Sequence, residues 1–400
     1  MVDKVLENKT HCCGCTACAS VCPQKCIDMI PDKEGFFYPK IIKTKCVGCN
    51  LCESVCPVIN PVVAEKTELK TFAIRSIDSI NLYEGTSGGM FKILAESILK
   101  ENGVICAASY DEDFNVKHMF LDNNMNSNDV FKKYRGSKYV QSDMGHCFSQ
   151  VREYLNQGKN LLFVGMPCQV HGLKKYLRKE YDNLLSVDLV CHGAPSPKLW
   201  RKYVDYQEAK RKARIIEASF RSKKYGYHSG GFMELKFSNG KIYRASARVD
   251  YMLKSFFEEI SSRPICYECP FKGIHRPSDL TLYDCWHFSN MVVNVKDDDC
   301  GYTNVIVQTK KGMNIIQLIS DKIEKYEVDT EMARKLDGIM IDQCANPHPQ
   351  RKQFYVSIDE SSLPEHINKF IPVKKFDYCI EAVKKLLYKT GTLQKLRNKK

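Results

Sequence analysis

No apolar run in this 400-residue chain approaches the roughly 18 residues needed to cross a bilayer; the longest stretches resemble the five residues at 104–108. The opening MVDKVLENKT lacks the apolar region of a secretory signal, so the expectation is a cytoplasmic protein. No G-x-G-x-x-G follows a strand-like segment and no G-x-x-x-x-G-K-[ST] occurs. A Rossmann fingerprint and a P-loop are therefore both missing, which disfavours NAD as cofactor. With 22 Gly and 15 Pro there is no room for collagenous or low-complexity character, and 44% hydrophobic against 27% charged residues excludes global disorder. The length predicts two or three domains.

What the chain does hold is cysteine: 20 in all, half of them within the first 56 residues. Without a secretory signal, disulfides are disfavoured and metal centres favoured. The net charge of +13 counts every cysteine as neutral. Thiolates holding iron–sulfur clusters would offset part of that excess, so charge alone is a weak pointer to nucleic acid.

Residues 12–23 read CCGCTACASVCP and place Cys12, Cys15, Cys18 and Cys22 in C-x2-C-x2-C-x3-C before Pro23. Residues 46–57, CVGCNLCESVCP, repeat the frame with Cys46, Cys49, Cys52 and Cys56 before Pro57. This is the run of a bacterial two-cluster ferredoxin, in which three closely spaced thiolates wrap one cubane and the fourth reaches the other. It assigns one [4Fe–4S] cluster to Cys12, Cys15, Cys18 and Cys56 and a second to Cys46, Cys49, Cys52 and Cys22. Zinc modules use pairs of C-x2-C rather than four-cysteine runs. Cys13 and Cys26 fall outside the frame and are expected to pack beside the clusters as small hydrophobes, the other reading being spare ligands. Clusters move single electrons and make no bonds, so the rest of the chain must supply a donor or acceptor.

The fold expected is α+β: a two-cluster ferredoxin module over 1–60, then a mixed α/β body with regions at 71–150 and 151–345 and a basic extension at 346–400. Residues 61–70 read as a linker. TFAIRS, GVICAASY, LLFVGM, LLSVDLVC, DLTLYDC and TNVIVQT are short apolar strands, and Phe91, Leu94, Ala95, Ile98 and Leu99 recur at helical spacing after Gly88 and Gly89. Small-residue turns at GTSGGM, RGSKYVQSD and GMPCQVHGL are places where helix starts can cradle phosphate.

The order TSGGMF, RGSKYVQSD, LLFVGMPCQVHGLKKYL, VDLVCHGAPSP, FRSKKYGYH, RPICYECPFKG, SDLTLYDCW resembles the coenzyme F420 hydrogenase/dehydrogenase beta-subunit family over about residues 10–310. The fused ferredoxin module is similar to that of its formate-dehydrogenase-type and F420H2-dehydrogenase-type members. The resemblance implies an oxidoreductase with FAD between a hydride carrier, coenzyme F420, and one-electron clusters. It marks Ser87, Gly88, Gly89, Ser137 and Lys138 as candidates for the flavin site. It also groups Cys168, Cys191, Cys266 and Cys269 as ligands of a third [4Fe–4S] cluster, with zinc or unliganded thiols as alternatives. His192 is a weak candidate for a proton donor, a structural histidine being as good a reading. Where related chains read a G-D-aromatic-W-G turn, this one has Tyr283, Asp284, Cys285, Trp286 and His287. Cys285, like Cys106, Cys147, Cys300, Cys344 and Cys379, is expected to serve packing.

Arg and Lys among aromatics at 220–231 and 263–276 suit an anionic hydride carrier through Arg221, Lys223, Lys224 or Arg276, and no nucleic-acid motif accompanies them. The lysine-rich tail from Lys374, with Ile380, Val383, Leu386, Leu387 and Leu393 at helical spacing, reads as a solvated capping helix or a peripheral contact with a partner or membrane. Expected partners are a redox protein or reduced ferredoxin. Competing readings are a ferredoxin-dependent flavin reductase acting on another organic substrate and a non-catalytic electron-transfer subunit.

Overall fold

The computed structural model describes residues 8–125 and 128–390. An amino-terminal hairpin pairs β1 (Ile27–Pro31) with β2 (Phe37–Ile41) antiparallel, and short helices Ala17–Val21 and Leu51–Ser54 follow the first cysteines of each run. The body is built on one eight-stranded sheet: β3 (Lys70–Ser76), β4 (Val104–Tyr110), β5 (Val116–Leu121), β6 (Leu161–Gly165), β7 (Leu184–Leu189), β11 (Leu280–Cys285), β12 (Tyr302–Val307) and β13 (Ile323–Val328). A three-stranded antiparallel sheet holds β8 (Ile215–Ser219), β9 (Phe232–Phe237) and β10 (Ile242–Ser246).

The large sheet runs β13-β3-β12-β11-β7-β6-β4-β5. Its centre, β11-β7-β6-β4, is parallel; the β3, β12 and β13 contacts and the β4–β5 contact are antiparallel. Central parallel strands are covered on both faces, which is why these segments read as nearly unbroken apolar runs. Successive residues nonetheless feed opposite cores: Ile105, Leu162 and Leu185 pack with the helix Met90–Lys100 and with Ile315 and Ile316, whereas Cys106, Leu161, Phe163 and Leu184 face the other way.

That second face is covered by the helices Cys147–Asn156 and Pro167–Leu177, and also by the amino-terminal module itself. Cys13, Cys15, Ala17 and Val55 belong to the same buried cluster as Phe148, Phe163 and Leu173. The cysteine loops are thus part of a body core rather than an appended bead.

The tail helix spans Lys375–Lys389, as its spacing predicts, while Leu393 lies outside the described residues. Its anchor is Glu381, 6% exposed, which accepts hydrogen bonds from the Ser246 amide and hydroxyl at the end of β10. Val383 and Leu386 are exposed. The helix therefore docks on the small sheet through a buried carboxylate, with much of its apolar spacing turned to solvent. Among the described residues, no helix is long and apolar enough to cross a membrane.

Candidate functional site

The second cysteine set closes round one pocket. Cys22, Cys46, Cys49 and Cys52 line a space of about 380 Å³, together with Cys26 and the backbone of Gly48 and Asn50. Cys26 Sγ lies 3.4 Å from Cys22 Sγ, donates its backbone N–H to that sulfur at 3.5 Å, and also meets Cys46. The pocket faces out: Cys49 is exposed and Val47 is 66% exposed.

The first set faces in. Cys12, Cys18 and Cys56 lie within electrostatic reach of one another, and Cys15 reaches Cys18. Three devices fix their loop to the body. Gln141 Nε2 donates to the Cys13 carbonyl at 3.1 Å. Arg263, 1% exposed, donates to the carbonyls of Cys12 at 2.7 Å and Phe37 at 2.9 Å and to Gln141 Oε1 at 2.9 Å. Gly14 has φ +70, and a Cβ there would lie 2.6 Å from Gln141 Nε2, so glycine is required on both conformational and steric grounds. Gly172, in the helix Pro167–Leu177, makes room from the other side, since a Cβ on it would come 2.8 Å from Cys15 Sγ.

Cys168 follows β6 and Cys191 follows β7, both at the carboxyl edge of the parallel strands, where α/β sheets place ligands. Cys266 and Cys269 come to them from the turn Pro264–Glu268: Cys168 is within electrostatic reach of Cys191 and Cys269, and Cys266 of Cys191 and Cys269. Burial pushes the Cys12 thiol up to about 11 and those of Cys266 and Cys269 up to about 12. Each keeps its proton near neutral pH until a metal displaces it. Among the described residues, no three Cys, His, Asp or Glu side chains converge as ligands of a single ion. Zinc needs four sulfurs about 2.3 Å from one point, whereas a cubane holds its ligands apart at four corners.

Cys13 is buried, as expected; Cys344 is only partly buried, and two more cysteines expected to pack are exposed. Cys13 lies within electrostatic reach of Cys15 and Cys168, and Cys344 Sγ accepts the Cys269 amide at 3.2 Å. Cys300 and Cys379 are exposed. Cys106, Cys147 and Cys285 are buried, as expected.

The flavin candidates gather at the same carboxyl edge. Ser137 N–H donates to Thr86 Oγ1 at 3.0 Å, joining the RGSK loop to the TSGG turn. Ser87 Oγ bonds to Asp284, which also takes Arg221 Nη1 at 2.5 Å and the Tyr227 hydroxyl at 3.1 Å. Burial raises the Asp284 carboxyl, but the Arg221 charge outweighs it and holds the group below the usual carboxylate range. Arg221 lies over the Trp286 ring at 4.6 Å and within electrostatic reach of Tyr139, which stacks on Phe256 at 4.3 Å. Phe256 packs on His192 at 5.0 Å, and His192 Nε2 bonds to Glu259.

Gly88 and Gly89, flavin-site candidates by resemblance, both make contacts within the fold. The Gly88 amide is spent on Thr303 Oγ1 at 2.8 Å, a Cβ on Gly88 would run into the Ile74 carbonyl, and the Gly89 carbonyl takes Asn81 Nδ2 at 3.0 Å. Lys138 Nζ donates to three carbonyls at 3.0–3.3 Å, and desolvation draws its ammonium down to about 7. Of the basic residues matched to an anionic carrier, Lys223 is buried on the carbonyls of Leu82, Ser87 and Cys300, and Arg276 pairs with buried Asp188 at 3.1 Å. Lys224 is exposed. Two hydroxyls, an ammonium and a guanidinium beside aromatic faces still suit a phosphate-bearing ring cofactor in kind. Arg263, Gln141, Gly172 and Glu259 were not singled out from sequence, although the first three lie inside the motifs RPIC, KYVQSD and QVHGL, and Asp284 was noted only for the turn it stands in.

Residues 158–331 match the family model for the carboxyl-terminal part of the coenzyme F420 hydrogenase/dehydrogenase beta chain, and residues 11–60 match that of a 4Fe–4S dicluster domain. No curated protein matches the chain. Among solved structures it is similar to a chain of the F420-reducing [NiFe] hydrogenase complex from Methanosarcina barkeri, at 17% identity and a TM-score of 0.45, covering 75% of this chain and 97% of that one.

Proposed function

From a chain that joins a 4Fe–4S dicluster domain to the carboxyl-terminal region of the F420 hydrogenase/dehydrogenase beta family, we propose an iron–sulfur flavoenzyme that passes electrons between a hydride carrier and one-electron partners. The observation that carries this reading is the shared edge. The Ser87, Ser137, Lys138 and Arg221 group and the Cys168, Cys191, Cys266 and Cys269 group stand at the carboxyl ends of one sheet, bridged by Tyr139, Phe256 and His192. A flavin bound there would supply the exchange between an electron pair and single electrons.

The chain's own residues hold and orient. Ser137 would offer its hydroxyl and Tyr139 its ring, while Ser87 and Arg221, both bonded to Asp284, and Lys138, on three backbone carbonyls, would trade those partners for a bound anion. His192, its Nε2 tied to the Glu259 carboxylate, holds a proton at this edge in a fixed orientation. The carrier is F420 or a substitute of the same anionic kind; the one-electron partner is a redox protein or reduced ferredoxin.

Anaerobically purified protein tests this by its released flavin and iron. One FAD with about 12 iron per chain is the expected result, for three clusters. About 8 iron with FAD keeps the enzyme and frees the four body cysteines for zinc or for no metal. An iron-replete protein that takes up no flavin on reconstitution is an electron-transfer subunit instead.

A further inference from the structure

Away from the cysteine sets, a cleft of about 1250 Å³, counted with the solvent at its mouth, lies between the end of β10, the helix Tyr251–Phe257 and the start of the tail helix. Four cations line it, Arg248, Lys254, Lys374 and Lys384, against two carboxylates, Glu258 and Asp377. Both carboxylates are already engaged: Glu258 pairs with Lys254 at 3.3 Å, and Asp377 accepts the Lys374 amide at 2.8 Å with Arg248 3.8 Å from its other oxygen. Lys374 and Lys384 are exposed and make no ion pair among the described residues. Gly230, also on the wall, has φ +65 and no atom within 4 Å of the place a Cβ would take, so the space beside its backbone is free. The cleft meets the flavin edge at residues 257–259. Glu258 lines the cleft, the Phe257 ring, 47% exposed, stands 6.2 Å from that of Tyr139 and 6.4 Å from that of His192, and the amide of His348, a cleft residue, donates to the Glu259 carbonyl at 3.2 Å.

We propose that this cleft binds the anionic end of an organic substrate whose redox-active end meets the Tyr139 and His192 edge, and that the substrate carries at least two separated negative groups, phosphates or carboxylates. The place of the redox-active end rests on the proposed function; the anion site does not. An exposed cation alone contributes little in water, but several round one concave wall add to a single potential that gathers anions. Their spread sets the ligand. Lys374 and Lys384 bracket ten residues of the tail, roughly 15 Å at the helical rise, too far apart for one phosphate to meet both. The cleft has the volume of a cofactor-sized site, and Phe370 and Ile371, both buried, give it apolar lining for the part of the ligand between its charges. His348, Phe370, Lys374 and Lys384 lie beyond the 158–331 match, so the anionic end is read in large part by residues outside the region shared with the family.

Inorganic triphosphate and citrate are the probes, titrated calorimetrically into the full, cluster-loaded chain at about 0.05 M salt, where screening is weak. Saturable binding of one probe per chain is expected, weakened about tenfold in a variant carrying Arg248→Gln and Lys384→Gln, both at exposed positions that the fold does not need. A variant carrying Lys310→Gln and Lys335→Gln removes the same charge from exposed positions that do not line the cleft and should bind as the wild type does. Tighter binding of triphosphate than of citrate assigns the negative groups as phosphates, and the reverse as carboxylates. With reduced F420 as donor, the Arg248 and Lys384 variant should lose turnover mainly through KM, raised about tenfold. No saturable binding of either probe, equal weakening by both pairs of substitutions, or an unchanged KM overturns the proposal. A chain that binds the probes as expected but takes up no flavin fails the functional reading and leaves the anion site standing; a flavin-loaded chain that binds neither probe does the opposite.

Discussion

Arg263 is a buried cation that makes no ion pair among the described residues, and the ionisable groups round it are the Cys12, Cys13 and Cys266 thiols and the hydroxyl of Tyr38, whose ring lies 4.0 Å from the guanidinium. A buried guanidinium without a counter-charge is costly, so the loaded clusters complete an electrostatic arrangement that the apoprotein leaves open. His118 is a second buried titratable group, 8% exposed, with Nδ1 at 2.9 Å from Ser142 Oγ and Nε2 at 3.1 Å from the Val164 carbonyl. Burial pulls it down to about 4. The unfolded chain, near 6.5, takes up the proton first, so the His118 contribution is complete above pH 6.5 and is lost as pH falls toward 4. Between pH 7.5 and pH 5 the wild type should lose about 2 kcal/mol more than His118→Asn in urea midpoints converted to free energy. An equal loss in both proteins would place the acid sensitivity elsewhere. The comparison with a variant matters because Asp250, raised to about 6 by burial despite the hydrogen bonds it takes from Tyr203 and Tyr243, has the opposite sign: its folded form takes up the proton first and gains stability as pH falls through 6.

The helix Pro167–Leu177 shows one element serving packing and site together. Its first turn carries Cys168, and its middle, at Gly172, receives Cys15 from the amino-terminal loop. Alanine at 172 would gain about 1 kcal/mol of helix propensity, but the added methyl would stand where Cys15 Sγ needs to be. Gly172→Ala should therefore fold with unchanged far-ultraviolet circular dichroism and lose about a third of its iron, one cluster of three. Full iron retention would mean that the loop moves aside freely. The central strands β4, β6, β7, β11 and β12 were legible because burial on both faces demands apolar runs. Others were not. β13 reads IEKYEV, with Glu324, Lys325 and Glu327 less than fully buried on an edge strand, and β1 and β2 carry Pro31 and Pro39, residues that argue against a strand unless it is a short hairpin edge.

At the scale of the whole molecule, the cysteine frames were legible because cluster ligation imposes spacing on the chain, whereas the partners of Arg263 and Gly172 depend on segments more than 100 residues away. The Gly88 amide shows the same dependence: it donates to Thr303, on a strand that local sequence does not bring near. The electrostatics also divide by side. Lys25, Lys43 and Lys45, next to the outer cysteine pocket, are exposed and make no ion pair among the described residues. Electron exchange with a small acidic ferredoxin should slow as salt rises from 0.05 to about 0.5 M, and the salt dependence should flatten in a Lys25→Glu, Lys43→Glu, Lys45→Glu variant, as stopped-flow rates would show. A salt-independent wild-type rate would put the contact on another face. The outward pocket at Cys49 has one more consequence. Oxygen meets that site before it meets the buried partner site of the same dicluster domain, so a loaded sample left in air should age in order, shedding the iron of the solvent-facing cubane while that partner still holds its own.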